Sequence, residues 1–257
     1  MTTPRLTLTC LLLTLIAALP AMAGPRTFVS GLGNDANPGT REQPKRTFAS
    51  ALTVTNPGGQ IVALDSAGYG SSTLTIDKSV SIIVPPGVAG FITVSGASNG
   101  ITINAGVDDV VSIRGLIIEN SNRSGSPSGI RSSSVGTLTV EDCAIRNFHL
   151  GLFFNQGNAG HLQVHGGSVR GNLYGIYLQP NAAVALDAIV TGCLVQNNGG
   201  VGLGAANASG GTSVMRVSDC TITHNISGVG TLILSRGNNT LENNNQGNSF
   251  SGTYSAK

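Results

Sequence analysis

Two short stretches set an acidic residue beside a cysteine: VEDCAIRN, Val140 to Asn147, and VSDCTITHN, Val217 to Asn225. Thiolates and carboxylates are metal donors, and a pair of carboxylates at the right separation hydrolyses glycosides. His161 and His165 add two imidazoles at i, i+4, the spacing of a zinc pair on a helix. Glu141, Arg146, Arg170 and Asp187 complete the candidates for acid–base work or for gripping an anion. Whether any of these groups can cooperate depends on the backbone that carries them.

That backbone is repetitive. IRGLIIEN (113 to 120), VEDCAIRN (140 to 147), VHGGSVRG (164 to 171), VTGCLVQN (190 to 197) and VSDCTITH (217 to 224) align on Leu116, Cys143, Gly167, Cys193 and Cys220, one marker every 24 to 27 residues. Three positions before the marker stand Ile113, Val140, Val164, Val190 and Val217, and two after it Ile118, Ile145, Val169, Val195 and Ile222. β-Branched side chains in alternation with polar ones specify short strands with one buried face. Gly115, Asp142, Gly166, Gly192 and Asp219 precede the marker. These residue types tolerate the left-handed backbone of a sharp bend. Asn120, Asn147, Gly171, Asn197 and His224, four after the marker, read mostly as local turn caps. A second strand begins at Gly129-Ile130, Gly151-Leu152, Gly175-Ile176, Gly202-Leu203 and Gly228-Val229.

Units of two or three strands running in the same direction must pair in parallel, about 4.8 Å apart, with right-handed connections. The expected fold is all-β: a right-handed, single-stranded parallel β-helix, a solenoid. Earlier rungs are expected around Ile61 to Leu64 and Val80 to Val84, and a short helix within 47–54 is expected to cap the open end. The division is residues 1–23 as signal peptide and 24–257 as one domain: a cap over 24–57, stacked rungs over about 58–240, and a C-terminal closure over 241–257.

On this backbone the tempting chemistry dissolves. Asp142 and Asp219 lie three rungs apart, roughly 14 Å, too far for a glycosidase pair. His161 and His165 span about 13 Å along a strand, so they are no zinc pair. Asp108 and Asp109 read as turn residues, and Asp187 has no carboxylate at the matching offset of either neighbouring rung. The run Gly199 to Gly211 falls where a strand and a loop belong, not in a phosphate loop. No catalytic residue, metal site or cofactor is assigned. Cys143, Cys193 and Cys220 form a ladder of inward thiols; adjacent rungs also leave room for a Cys193–Cys220 disulfide. Two outward neighbour pairs remain, Glu141 with His165 and Arg146 with Arg170. The paired guanidinium groups suit a carboxylate, with Tyr174 or Tyr177 offering a ring if the loop brings one close; the bland reading makes them a solvated face with Glu119 as partner.

Composition fits a turn-rich chain with a thin core: 36 glycines, no tryptophan and 10% charged residues. A net charge of +2 gives no broad electrostatic footprint for nucleic acid or an anionic membrane. Arg5, the apolar run Leu11 to Leu19 and Ala21-Met22-Ala23 read as a secretory signal cleaved after Ala23, so the destination is the periplasm, cell surface or medium. No span crosses a membrane in the mature chain, and a monomer is expected.

The opening FVSGLGNDANPGTREQPKRTFASAL, Phe28 to Leu52, and the repeat from about 110 to 240 resemble the exported bacterial β-helix proteins of the pectate-lyase-like superfamily. That resemblance implies a β-helix that begins at this opening. It also implies a superfamily of polysaccharide lyases, glycoside hydrolases and non-catalytic members, whose enzymes cluster carboxylates, or calcium ligands beside a basic residue, on one face. This chain lacks the cluster. The expected role is a non-catalytic carbohydrate-binding or structural element, with Glu141, His165, Arg146 and Arg170 as ligand-binding residues and polysaccharide as partner. The alternative is a lyase or hydrolase of an acidic polysaccharide.

Overall fold

The computed structural model describes residues 24–255, which leaves the leader read at 1–23 outside the described residues. Three parallel sheets of ten, eight and seven strands run along one axis, and through most of the stack each strand pairs with the strand three elements further along the chain. The columns deduced from alternation are the registers observed: Ile113, Val140, Val164, Val190 and Val217 align in the ten-stranded sheet. Ile118, Ile145, Val169, Val195 and Ile222 align in the eight-stranded sheet. The seven-stranded sheet contributes Ile101, Ile130, Leu152, Ile176, Leu203 and Val229. All of these are buried, so each unit contributes three strands to one continuous core.

Bends between sheets are set by the left-handed residues. Gly115, Asp142, Gly166, Gly192 and Asp219 all have φ between 51° and 73°. A second left-handed column follows four residues after the marker, at Asn147, Gly171, Asn197 and His224 (φ 54° to 68°). These residues make the bend themselves, where the sequence suggested that they cap it. Asn120 differs because it stays extended and buried, and its Oδ1 accepts the Asn122 and Arg123 N–H groups.

Beside that column stands a feature the sequence reading passed over, a buried asparagine ladder. Asn172 Nδ2 donates to Asn198 Oδ1 (3.2 Å), Asn198 Nδ2 to Asn225 Oδ1 (2.8 Å) and Asn225 Nδ2 to Asn244 Oδ1 (2.9 Å). Each Oδ1 also accepts a backbone N–H from the preceding rung, which satisfies a polar group the bend would otherwise bury unpaired. Asn244 Nδ2 then donates to Asn248 Oδ1, so the asparagine-rich tail closes the ladder.

At the other end the helix Phe48–Val54 packs on the first strands of all three sheets, as a cap should. Thr47 is its N-cap, accepting the Ser50 N–H, and Asp35 of the opening motif accepts the Arg46 and Thr47 N–H groups. Lys78 Nζ donates to Leu52 O and Thr55 O, both at 2.8 Å, satisfying carbonyls at the helix C-terminus. Burial raises the pKa of the Asp65 carboxyl, but hydrogen bonds from Ser30, Tyr69 and the Gly31 N–H outweigh it and hold the group below its ordinary value. Asp65 thereby ties the first strand to the first full rung.

Candidate functional site

The polar groups singled out from the sequence lie on two sheets and meet in no common pocket. Glu141 and His165 are register partners on the ten-stranded sheet, as expected, yet the ion-pair partner of Glu141 is Arg114, 3.7 Å away. Across the Asp142 bend, Arg146 and Arg170 are register partners on the eight-stranded sheet. Arg146 turns back to Glu119 (Nη2 to Oε2, 2.6 Å), and Arg170 is exposed without an ion pair among the described residues. Asp187 pairs with Arg216 and, at 4.0 Å, with His161. Asp109 accepts Ser79 Oγ at 2.5 Å and the Gly106 N–H at 2.6 Å, a turn role. Among the described residues no three His, Cys, Asp or Glu side chains stand close enough to share a metal ion.

Tyr174 and Tyr177 lie on the third sheet, where they build a ledge the sequence reading did not assemble. The outward column there is Arg131, Phe153, Tyr177 and Gly204, one residue per rung. Phe153 and Tyr177 rings stand 6.3 Å apart, Tyr177 and Tyr174 5.7 Å, and Tyr174 and His149 5.7 Å, all tilted or edge-on. The Arg131 guanidinium lies over the Phe153 ring at 5.2 Å and reaches toward Asn155 Oδ1 at 3.5 Å. The rings enclose a shallow depression of about 250 Å³ lined by His149, Leu150, Phe153, Tyr174, Tyr177 and Gln179. Gly204 makes room for the last ring, because a methyl group there would fall 2.4 Å from Tyr177 Cδ2.

A second depression, about 180 Å³, adjoins the first at His149 and is bordered by Arg123 and Leu173. Arg123 donates to Gly171 O, which brings its guanidinium to the residue after Arg170. The charges around the ledge are therefore of one sign. Arg131 is the single charged side chain in the seven strands of this sheet. Arg123 and Arg131 make no ion pair among the described residues, nor does Arg170 of the eight-stranded sheet, and all five pairs found there lie on the ten- and eight-stranded sheets or at the bend between them. The partly exposed rings of His149, Tyr174 and Tyr177, with Phe153 buried beneath Arg131, can stack on an apolar ring face, and guanidinium groups without an ion pair can bind a carboxylate or sulfate.

Sequence alone carried a signal for this ledge. Two residues after each second-strand glycine stand Arg131, Phe153, Tyr177, Gly204 and Gly230, an outward column open to the same reading as the inward ones.

The chain belongs to the right-handed β-helix family: the model described as "Right handed beta helix region" matches residues 69–246, and its handedness is the one expected. Among solved structures it is similar to one titled "Crystal structure of pectate lyase Pel9A", with TM-score 0.54, 14% identity, and coverage of 83% of this chain and 68% of that one. It is also matched to one titled "Rhamnogalacturonan lyase", with TM-score 0.37, 10% identity, and coverage of 89% and 62%. No curated protein sequence matches the chain.

Proposed function

We propose that this right-handed β-helix protein is an exported, non-catalytic carbohydrate-binding element whose binding face is the aromatic ledge of the seven-stranded sheet. The observation that carries the reading is the contiguous set of His149, Tyr174, Tyr177 and Phe153, with neighbouring centroids 5.7 to 6.3 Å apart, flanked by Arg131. Tilted rings on successive rungs offer stacking faces to pyranose C–H groups along the axis, and Asn155, Gln179 and the guanidinium groups offer hydrogen bonds to hydroxyls and acidic substituents. In this reading Arg170 belongs to the basic rim with Arg123. Arg146 and Glu141 serve ion pairs of the other sheets, and His165 stands beside Glu141 in register.

A depolymerase acting at the same ledge is the second reading. Its support is the imidazole of His149 and the phenol of Tyr174 side by side in the depression, together with a fold shared with a protein titled pectate lyase. One experiment separates the two. The protein is incubated with a panel of neutral and acidic polysaccharides and each mixture is passed over a sizing column that traces sugar and protein. Intact polymer carrying wild-type protein, with less carried by Arg131→Gln, supports binding. Conversion of a polymer to low mass overturns the non-catalytic reading, and failure of every polymer either to carry protein or to lose mass overturns both.

A further inference from the structure

Cys143, Cys193 and Cys220 are buried in the bend column, and all three are free thiols. They are not equivalent. Gly167 occupies the column between Cys143 and Cys193, and a Cβ there would fall 2.1 Å from Cys143 O. Cys143 thus stands two rungs from Cys193, about 9 to 10 Å, outside the reach of a disulfide. Cys193 and Cys220 stand on consecutive rungs between the in-register pairs Thr191–Ser218 and Leu194–Thr221. The Cys193 N–H donates to Cys220 Sγ at 3.4 Å, so one sulfur already lies against the other residue. Cys193 Sγ donates to Gly166 O at 3.1 Å, and the two thiol groups also interact with each other across the rung spacing.

The segment between them, residues 194–219, contains the rung that floors the ledge. It includes the strand Val201–Ala205, with Gly199 and Gly200 before it and Gly202 and Gly204 within it. Glycine loses the most backbone freedom on folding, so this rung is costly to order and gains most from a tether at its base.

We propose that Cys193 and Cys220 are a redox-controlled staple, joined as a disulfide when the rung closes in the presence of a small-molecule disulfide, with Cys143 left as a thiol. One cysteine thiolate attacks the small disulfide and releases one thiol. The second cysteine attacks the mixed disulfide and releases the other. Two protons and two electrons pass to the oxidant, which ends as two thiols. The exchange takes place while the rung is open, because stacking buries both sulfurs. Burial also pushes the Cys143 thiol up to about 12, which keeps it an inert thiol in the folded chain.

The test incubates the full chain with glutathione disulfide in urea just below the unfolding midpoint, where rungs open and reclose. Remaining thiols are alkylated under denaturing conditions and tryptic peptides are mapped, so that Cys10, Cys143, Cys193 and Cys220 are read separately. The expected result is a Cys193–Cys220 cross-linked peptide pair with Cys143 alkylated, and a urea midpoint that rises in the linked sample and falls back on adding reductant. In Cys193→Ser neither the link nor the rise appears. Alkylation of both Cys193 and Cys220 after oxidation, or a link that includes Cys143, overturns the proposal. Neither result depends on whether the ledge binds sugar.

Discussion

The seven-stranded sheet and the other two share one backbone plan and one set of buried columns, yet they dispose of charge in opposite ways. On the ten- and eight-stranded sheets several outward charges meet across rungs, as Arg146 does with Glu119 and Arg216 with Asp187, while Arg170 makes no ion pair among the described residues. Such partly exposed pairs use the rung spacing to neutralise themselves, and each contributes little to stability. On the seven-stranded sheet the same spacing aligns rings, and the one charge, Arg131, meets no carboxylate among the described residues. A solenoid offers every face the same ladder of positions. What differs is whether neighbouring rungs pair their charges or align rings beside a guanidinium that meets no carboxylate among the described residues.

The largest test of that contrast removes the rings. Tyr174→Ala combined with Tyr177→Ala lowers affinity for a bound polysaccharide by about five- to 150-fold, given roughly 0.5–1.5 kcal/mol per aromatic contact. Glu141→Ala with His165→Ala on the other face leaves affinity within about twofold, since exposed charge pairs contribute little. Titration calorimetry of both double variants checks the pair, and equal losses would remove the contrast between the sheets. Next, Asn155→Asp gives Arg131 a carboxylate partner and makes this sheet resemble the other two. Affinity for an acidic polymer falls by about fivefold and its salt dependence flattens, while a neutral polymer is unaffected. Binding isotherms at two salt concentrations read this directly.

A smaller effect is expected from Gly204→Ala, whose methyl group pushes the Tyr177 ring off its floor without removing it. Affinity falls by roughly threefold, with a shift in tyrosine fluorescence that marks the displaced ring. The smallest effect belongs to the charged face. A double-mutant cycle on Glu119 and Arg146, read by urea denaturation, returns a coupling of about 0.5–1 kcal/mol. A coupling several times larger would mean that the paired face is a stability element in its own right.

Much of this was legible in the linear chain, and the reasons are local. Ile113, Val140 and Val164 alternate with polar neighbours because successive strand residues point to opposite faces, so their inward direction follows from period two. Gly115 and Asp142 announce a bend because few residues accept a left-handed backbone. The asparagine ladder was harder to see. Asn172, Asn198 and Asn225 share an offset, but a column of polar side chains reads as surface until it is known that their amides reach the next rung and are buried.

The sequence by itself determined the repeat, the three inward columns, the bends and the capped end, because each depends on contacts within a rung or between identical offsets of adjacent rungs. It also determined that Glu141 neighbours His165 and that Arg146 neighbours Arg170. Only the tertiary structure decided that these pairs lie on two different sheets, that Arg146 is spent on Glu119, and that Tyr174 and Tyr177 join Phe153, His149 and Arg131 on a third. Offsets along a repeat specify which residues stack. The angle through which each bend turns the chain specifies which stacks share a face, and that angle is settled by packing around the whole turn.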